Sequence, residues 1–139
     1  MSPQEGPPAG PRGRTGASAE AAAAAYLTAL GWLVVARNVR VGRDELDLVA
    51  CTPAPERRLV VVEVRARSGD AFGSGLESVD ARKVARLYRA VGALRRCGHP
   101  ALGPGPLAHA VRVDLVVLRR VPSGAWTVEA HLHGLEPPA

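Results

Sequence analysis

Aromatic residues are scarce in this chain: one Phe, two Tyr and two Trp make up 4% of 139 residues. The core must therefore be assembled from Ala, Val and Leu. Cysteine is nearly absent, and Cys51 and Cys97 form neither a CxxC nor another metal-type spacing. That excludes a disulfide scaffold and a thiolate zinc site, and it points to a reducing, cytoplasmic setting. Long hydrophobic runs are lacking as well. The longest, Ala21 to Ala36, is mostly alanine, holds Thr28 and Gly31, and falls short of the roughly 20 residues a membrane helix needs. Arg12 and Arg14 precede it as in a signal peptide, but Glu20 interrupts the approach and the alanines continue into a domain helix. Lysine is all but missing: Lys83 stands alone among 18 basic residues. The richness in Ala, Gly and Pro makes coding bias the plain reason, so an arginine here can stand where a lysine would do.

What is present is a globular composition, 47% hydrophobic and 22% charged, at a length that fits one domain. The net charge of +5 favours a polyanionic partner. Residues 1–17 are rich in proline and glycine and read as a disordered, mildly basic tail. A single domain is expected over 18–133, and 134–139 reads as a C-terminal tail. Ser18 is a plausible N-cap for a helix through Ala21–Ala25, Tyr26, Leu27 and Leu30, stopped by Gly31. Strands follow over Trp32–Val41, Glu45–Cys51 and Leu59–Arg67, the last apolar on both faces in its first half. A glycine-containing loop, Ser68 to Ser78, leads to a second helix over Val79–Arg96, with Asp80 in its first turn and a stripe of Val84, Leu87, Val91 and Leu94. Gly98 to Ala108 is a proline-rich loop. Val111–Val121 and Ala125–His133 close the chain as a hairpin about Pro122-Ser123-Gly124. The order predicts an α/β layer structure, a mixed central β-sheet flanked by helices.

Alternate strand residues share a face. Glu45 and Asp47 therefore point one way from the second strand, with Leu46 and Leu48 turned into the core. On the third strand, Glu63, Arg65 and Arg67 oppose Val60, Val62, Val64 and Ala66. If these strands are neighbours, Asp47 and Glu63 project within a few ångströms of each other. One of them must then take up a proton unless a cation intervenes, either an arginine or a divalent metal. A solvent face with a Glu63–Arg65 or cross-strand ion pair explains the alternation equally well, although a charge after Leu59-Val60-Val61-Val62 needs a reason.

Asp44-Glu45-Leu46-Asp47-Leu48-Val49-Ala50, followed by Val61-Val62-Glu63-Val64-Arg65-Ala66-Arg67, resembles the paired motifs of the YraN-like family, small bacterial proteins related to Holliday-junction resolvases. Glu20 to Leu27, Leu30-Gly31-Trp32, Ala36-Arg37-Asn38, Phe72-Gly73, the Lys83 helix and Val113 to Val117 fit the same pattern, so the resemblance spans about Glu20 to Leu118. It implies a restriction-endonuclease-like core with a PD-(D/E)xK-type site that cleaves structured or branched DNA. Carried over residue by residue, Asp47 and Glu63 become ligands of Mg²⁺ (or Mn²⁺), with the Val64 carbonyl as a third oxygen. Glu20 becomes the additional helix acid of the resolvase branch. Two departures matter. Asp44 replaces the family's usual glycine. Arg65 stands at the lysine position, where it keeps the charge but cannot act as a base. Lys83, in the first turn of the second helix, can reach back toward the sheet in its place, or be an ordinary solvated residue.

Arg82, Arg86, Arg89, Arg95 and Arg96 are expected to form a phosphate-contacting ridge on the exposed side of the second helix, since few acids balance them. His131 and His133 share a strand face and read as surface histidines, Asp114 as an acid that supports the site's ligands or faces solvent, and Trp32 and Tyr88 as core. Three functions follow: a metal-dependent endonuclease, a DNA-binding protein of the same fold without turnover, and a protein-interaction scaffold. DNA affinity should fall steeply with salt and ignore sequence. By analogy with resolvases, a homodimer is expected.

Overall fold

A computed structural model describes residues 11–68, 81–103, 105 and 110–137. The expected Ser68–Ser78 loop beyond its first residue, Phe72-Gly73, Asp80 and the outermost termini lie outside the described residues. In chain order the elements are α1 (Pro11–Ala29), β1 (Leu33–Val41), β2 (Asp44–Cys51), β3 (Leu59–Ser68), α2 (Ala81–Cys97), a short 3-10 turn at Pro100–Leu102, β4 (Arg112–Arg120) and β5 (Trp126–Leu132). They form one five-stranded sheet in the order β1-β2-β3-β4-β5. All neighbours are antiparallel except β3 and β4, whose parallel pairing requires the crossover that carries α2. This is the mixed α/β sheet, flanked by helices, that the sequence predicts.

Each face of the sheet has its own core. On one side Ala19, Ala23, Ala24 and Leu27 of α1 lie against Leu48, Ala50, Val60, Val62, Val116 and Leu118. The small alanines let the helix approach the sheet closely, and only Leu27 contributes a large side chain to that stripe. On the other side Leu87, Ala90, Val91 and Leu94 of α2 cover Val39, Leu46, Val49, Val61, Val111 and Val113. The stripe differs from expectation in one place: Val84 is half-buried, and Ala90 takes its place in the core. Burying each of these Leu and Val side chains is worth about 1.5–3 kcal/mol. Gly98 ends α2 with φ 74° and its N–H on the Leu94 carbonyl at 2.7 Å. The Gly105 carbonyl lies where a Cβ would project from Gly98, so no other residue fits there.

Three boundary expectations are corrected. Helix α1 opens at Pro11, so 11–17 are helical instead of tail. A proline at the first helical position sacrifices no hydrogen bond. Ser18 is not a cap but an inner residue whose hydroxyl accepts from Trp126 Nε1 at 2.8 Å. At the other end, the backbone N–H groups of Gly134 and Leu135 donate to the Asp114 carboxylate and the Val113 carbonyl, so the expected C-terminal tail begins by packing on β4.

Leu46 and Leu48 are both fully buried, but on opposite faces of the sheet and not on one. Between the Arg37–Leu48 and Val39–Leu46 pairs, Asn38 of β1 lies opposite Asp47 with φ 52°. A left-handed residue there twists the ribbon and exchanges its faces. The ladder between β2 and β3 ends at the same level, with Leu48–Val62 as its last pair. Asp47 and Glu63 come next.

Candidate functional site

Where β2 leaves β3, the backbone N–H of Val64 loses its strand partner. The Asp47 carboxylate replaces it, accepting from Val64 N through Oδ2 at 2.8 Å. A buried amide would otherwise be orphaned, so Asp47 is fixed in place by the end of the ladder itself. Glu63 occupies the adjoining position on the α2 face of β3, beside the core residue Val61, and is 3% exposed.

Helix α2 supplies the counter-charge. Leu87 is anchored in the core, and Lys83, one turn earlier on the same helix face, extends over Glu63 with Nζ 3.2 Å from Oε2. Glu63 Oε1 is buried with no hydrogen-bond partner among the described residues. Glu20 of α1, half-buried on the flank of the alanine stripe, faces the same space. Glu20, Glu45, Asp47, Glu63, Val64, Arg65 and Lys83 thus line one open cleft of about 730 Å³. Every residue carried over for catalysis or metal binding lies in it; Glu45 joins them.

Crowded acids in a half-buried cleft cannot all ionise. Burial, with the Asp47 carboxylate next in effect and Glu45 and Glu63 beyond it, pushes the Glu20 carboxyl up to about 7. Burial and Asp47 push Glu63 up to about 7 as well, with Lys83 partly opposing them. These carboxyls share protons as a group. A divalent cation would replace the shared proton. Two carboxylates and a backbone carbonyl are the hard oxygens that Mg²⁺ takes, and a buried carboxylate oxygen without a donor is what such an ion would satisfy. The chemistry of the cleft therefore fits the metal.

The expected arginine ridge divides. Arg82, Arg86, Arg89 and Arg96 are exposed, but Arg95 is half-buried and does not belong to it. Arg89 is not unbalanced either, because it holds Asp44 of β2 through Nη2 at 2.9 Å and Nε at 3.2 Å. Arg43, in the β1–β2 turn, joins Arg86 in lining the hollow that adjoins the cleft. Sequence periodicity gave no sign of Arg43, since it lies in a turn.

On the α1 side of β4 and β5, the readings of Asp114 and His131 are corrected, whereas His133 is exposed as expected. Asp114 is fully buried. It accepts from Arg112 Nε at 2.8 Å and Nη2 at 3.0 Å, from Gly134 N at 2.9 Å, and lies 2.9 Å from His131 Nε2. His131 is 6% exposed, not a surface residue, and its Nδ1 meets the Tyr26 hydroxyl at 2.8 Å. His133 stacks on His131 with ring centroids 4.0 Å apart. Asp114, His131 and His133 are close enough to share a metal. However, the Arg112 guanidinium already occupies that corner, 3.1 Å from His133 Nδ1, and a second cation would sit against it. The cluster is a structural one.

Residues 19–118 match the model of the uncharacterised protein family UPF0102. A UPF0102 protein of Sorangium cellulosum is 40% identical over 123 residues, covering 88% of this chain and 81% of its own. One from Mycobacterium tuberculosis is 37% identical over 126 residues, covering 89% and 93%. Another, from Deinococcus radiodurans, is 44% identical over 99 residues, covering 69% and 79%. Among solved structures, Pyrococcus furiosus SfsA in complex with Ca²⁺ aligns at 16% identity with a TM-score of 0.35, over 76% of this chain and 56% of that one. No helix among the described residues is long and apolar enough to cross a membrane.

Proposed function

The chain belongs to the uncharacterised protein family UPF0102, and we propose that it is a Mg²⁺-dependent endonuclease acting on structured or branched DNA. One observation carries this reading. The ladder between β2 and β3 ends so that Asp47 and Glu63 stand side by side, with the buried Glu63 Oε1 lacking a donor among the described residues and the Lys83 ammonium 3.2 Å from Oε2. The resemblance of its strand motifs to the YraN-like family, which is related to Holliday-junction resolvases, supports it.

Asp47, Glu63 and the Val64 carbonyl would hold the ion. When bound, Mg²⁺ (or Mn²⁺) lowers the pKa of its water and offsets charge building on the phosphate. The chain does the rest. Asp47 is oriented by the Val64 N–H, and Glu63 by Lys83. Arg65 brings positive charge to a phosphate oxygen, but a guanidinium cannot act as a base. Lys83 restores an amine beside Glu63 that the strand position lacks. Glu20, with its carboxyl raised to about 7, is suited to hold or release a proton at neutral pH.

The test is cleavage of labelled linear, flapped and four-way DNA with Mg²⁺, Mn²⁺ or EDTA. Glu63→Gln should lower the rate about 100-fold or more, since a bound metal supplies several kcal/mol of stabilisation. Lys83→Ala should lower it about 10- to 100-fold, whereas Arg65→Lys should change it less than about threefold, because Lys83 already provides the amine. Equal product with EDTA, or with Glu63→Gln, would sink the reading. Arg65 keeps a second reading open, a DNA-binding protein without turnover; it predicts binding but no cleavage of any substrate, even by Arg65→Lys. Paired nicks on a four-way junction require two copies, so light scattering with DNA present should give the mass of a dimer.

A further inference from the structure

Two hollows continue the acid cleft along α2. The first is lined by Arg43, Asp44, Glu45, Asp47, Lys83 and Arg86, and it shares Glu45, Asp47 and Lys83 with the cleft. The second shares Arg43 and Asp44 with the first and is bounded by Val41, Gly42, Arg89, Ala93 and Arg96. Together they make one groove with the β1–β2 turn as one wall and α2 as the other. Its charge reverses along its length: carboxylates at the cleft end, then guanidinium groups from both walls. From Arg86 to Arg96 the helix wall runs about 15 Å, at 1.5 Å per residue. A phosphodiester backbone with its scissile group at the acid end would place its flanking phosphates among these arginines.

One residue in the groove has the wrong sign. Asp44 sits among Arg43, Arg86 and Arg89, whose charges hold its carboxyl below the usual range, the Arg89 hydrogen bonds foremost. It occupies two N–H positions of Arg89 in the fork geometry a phosphate would use. We propose that this groove is the track for the DNA backbone flanking the cleft, and that Asp44 is an internal competitor that a phosphate must displace from Arg89. The proposal rests on DNA as the partner in the reading above, but not on turnover. Asp44 weakens binding to any single backbone by masking one cation and repelling the phosphates beside it, and so favours short residence on DNA.

Fluorescence anisotropy of labelled duplex and four-way DNA, in EDTA and across a series of NaCl concentrations, tests this without the metal. Arg43→Gln and Arg86→Gln should each weaken binding about three- to tenfold and lower the slope of log K against log salt by about one. Asp44→Asn should do the opposite, tightening binding about three- to tenfold with a steeper slope, because Arg89 is released. Arg89→Gln in the Asp44→Asn background should return the affinity to that of the native protein or below. Circular dichroism confirms that each variant is folded. Unchanged or weaker binding by folded Asp44→Asn, or an unchanged slope for Arg86→Gln, overturns the track. These outcomes stay distinct from failure of the nuclease reading. Binding with the expected slopes but no cleavage sinks the nuclease and keeps the track, and cleavage without the slopes does the reverse.

Discussion

Replacing Asp114 with Ala is expected to cost about 3–5 kcal/mol of folding stability, the largest loss from any single polar side chain among the described residues. The carboxylate is fully buried and receives Arg112, the Gly134 backbone and His131. Through His131 it reaches Tyr26 on α1, and through Arg112 it approaches Glu56 in the β2–β3 loop at 4.0 Å. Truncation would leave the Arg112 guanidinium, largely buried itself, facing an imidazole and apolar carbon. Urea denaturation should show the loss as a lower midpoint with an unchanged slope. The same residue sets the acid limit. Burial alone would raise its pKa, but the hydrogen bonds from His131, Arg112 and Gly134 outweigh burial and hold it at about 2. A depressed pKa contributes stability that is complete above the unfolded value near 4 and fades as pH falls toward 2, an effect of about 2 kcal/mol. Asp114→Asn should flatten that part of the stability curve. A loss below about 1 kcal/mol for Asp114→Ala would mean that the network is not what ties α1 to β4 and β5.

That network was invisible in the sequence, and the reason is geometric. Arg112 and Asp114 are two residues apart on one strand, but His131 and Gly134 reach them only through the register that pairs Val116 with His131. Alternation tells which residues share a face, not which strand lies beside which. The Asp44–Arg89 pair, 45 positions apart in the chain, was hidden for the same reason. What could be read was local. The period of two in β3 puts Glu63 opposite Val62 and Val64, and the place of Lys83 in the first turn of the second helix allows a reach toward the sheet as well as a solvated position. The placement of Leu46 and Leu48 on one face failed because Asn38 twists the ribbon at that point. The Gly and Pro density of residues 11–17 reads as tail, yet proline is allowed at a first helical position and α1 opens on Pro11. Beyond local pattern, the strand resemblance supplied the pairing of Asp47 with Glu63 that periodicity left conditional.

Without metal, the protein should be more stable at pH 5.5 than at pH 8, and Mg²⁺ should narrow the difference. Glu20 and Glu63 have carboxyls raised from 4.5 to about 7, in each case by burial first and by the neighbouring Asp47 next. Between those values the folded state binds protons that the unfolded chain has released. Stability therefore falls as pH rises through the window and is lowest above about 7. Because the groups titrate together and Glu20 is only half-buried, the combined loss is about 2 kcal/mol, several degrees in Tm for a domain of this size. Glu63→Gln removes the most buried of these charges, so its Tm in EDTA should rise at pH 8 and fall less steeply across the range, with Glu20 still titrating. Few-ligand Mg²⁺ sites bind weakly, so millimolar concentrations are needed. At a tenfold excess over Kd the native protein should gain about 1.4 kcal/mol. The gain should be larger at pH 8 than at pH 6, where protons compete for the same oxygens. Thermal melts of both proteins at pH 5.5, 6, 7 and 8, with EDTA and with 10 to 20 mM Mg²⁺ (about tenfold over a millimolar Kd), separate the two effects. Native and Glu63→Gln curves that move together in every condition would reduce Glu63 to a structural partner of Lys83. A native curve that falls the more steeply with pH and alone rises with Mg²⁺ ties the buried Glu63 Oε1, which has no donor among the described residues, to a cation.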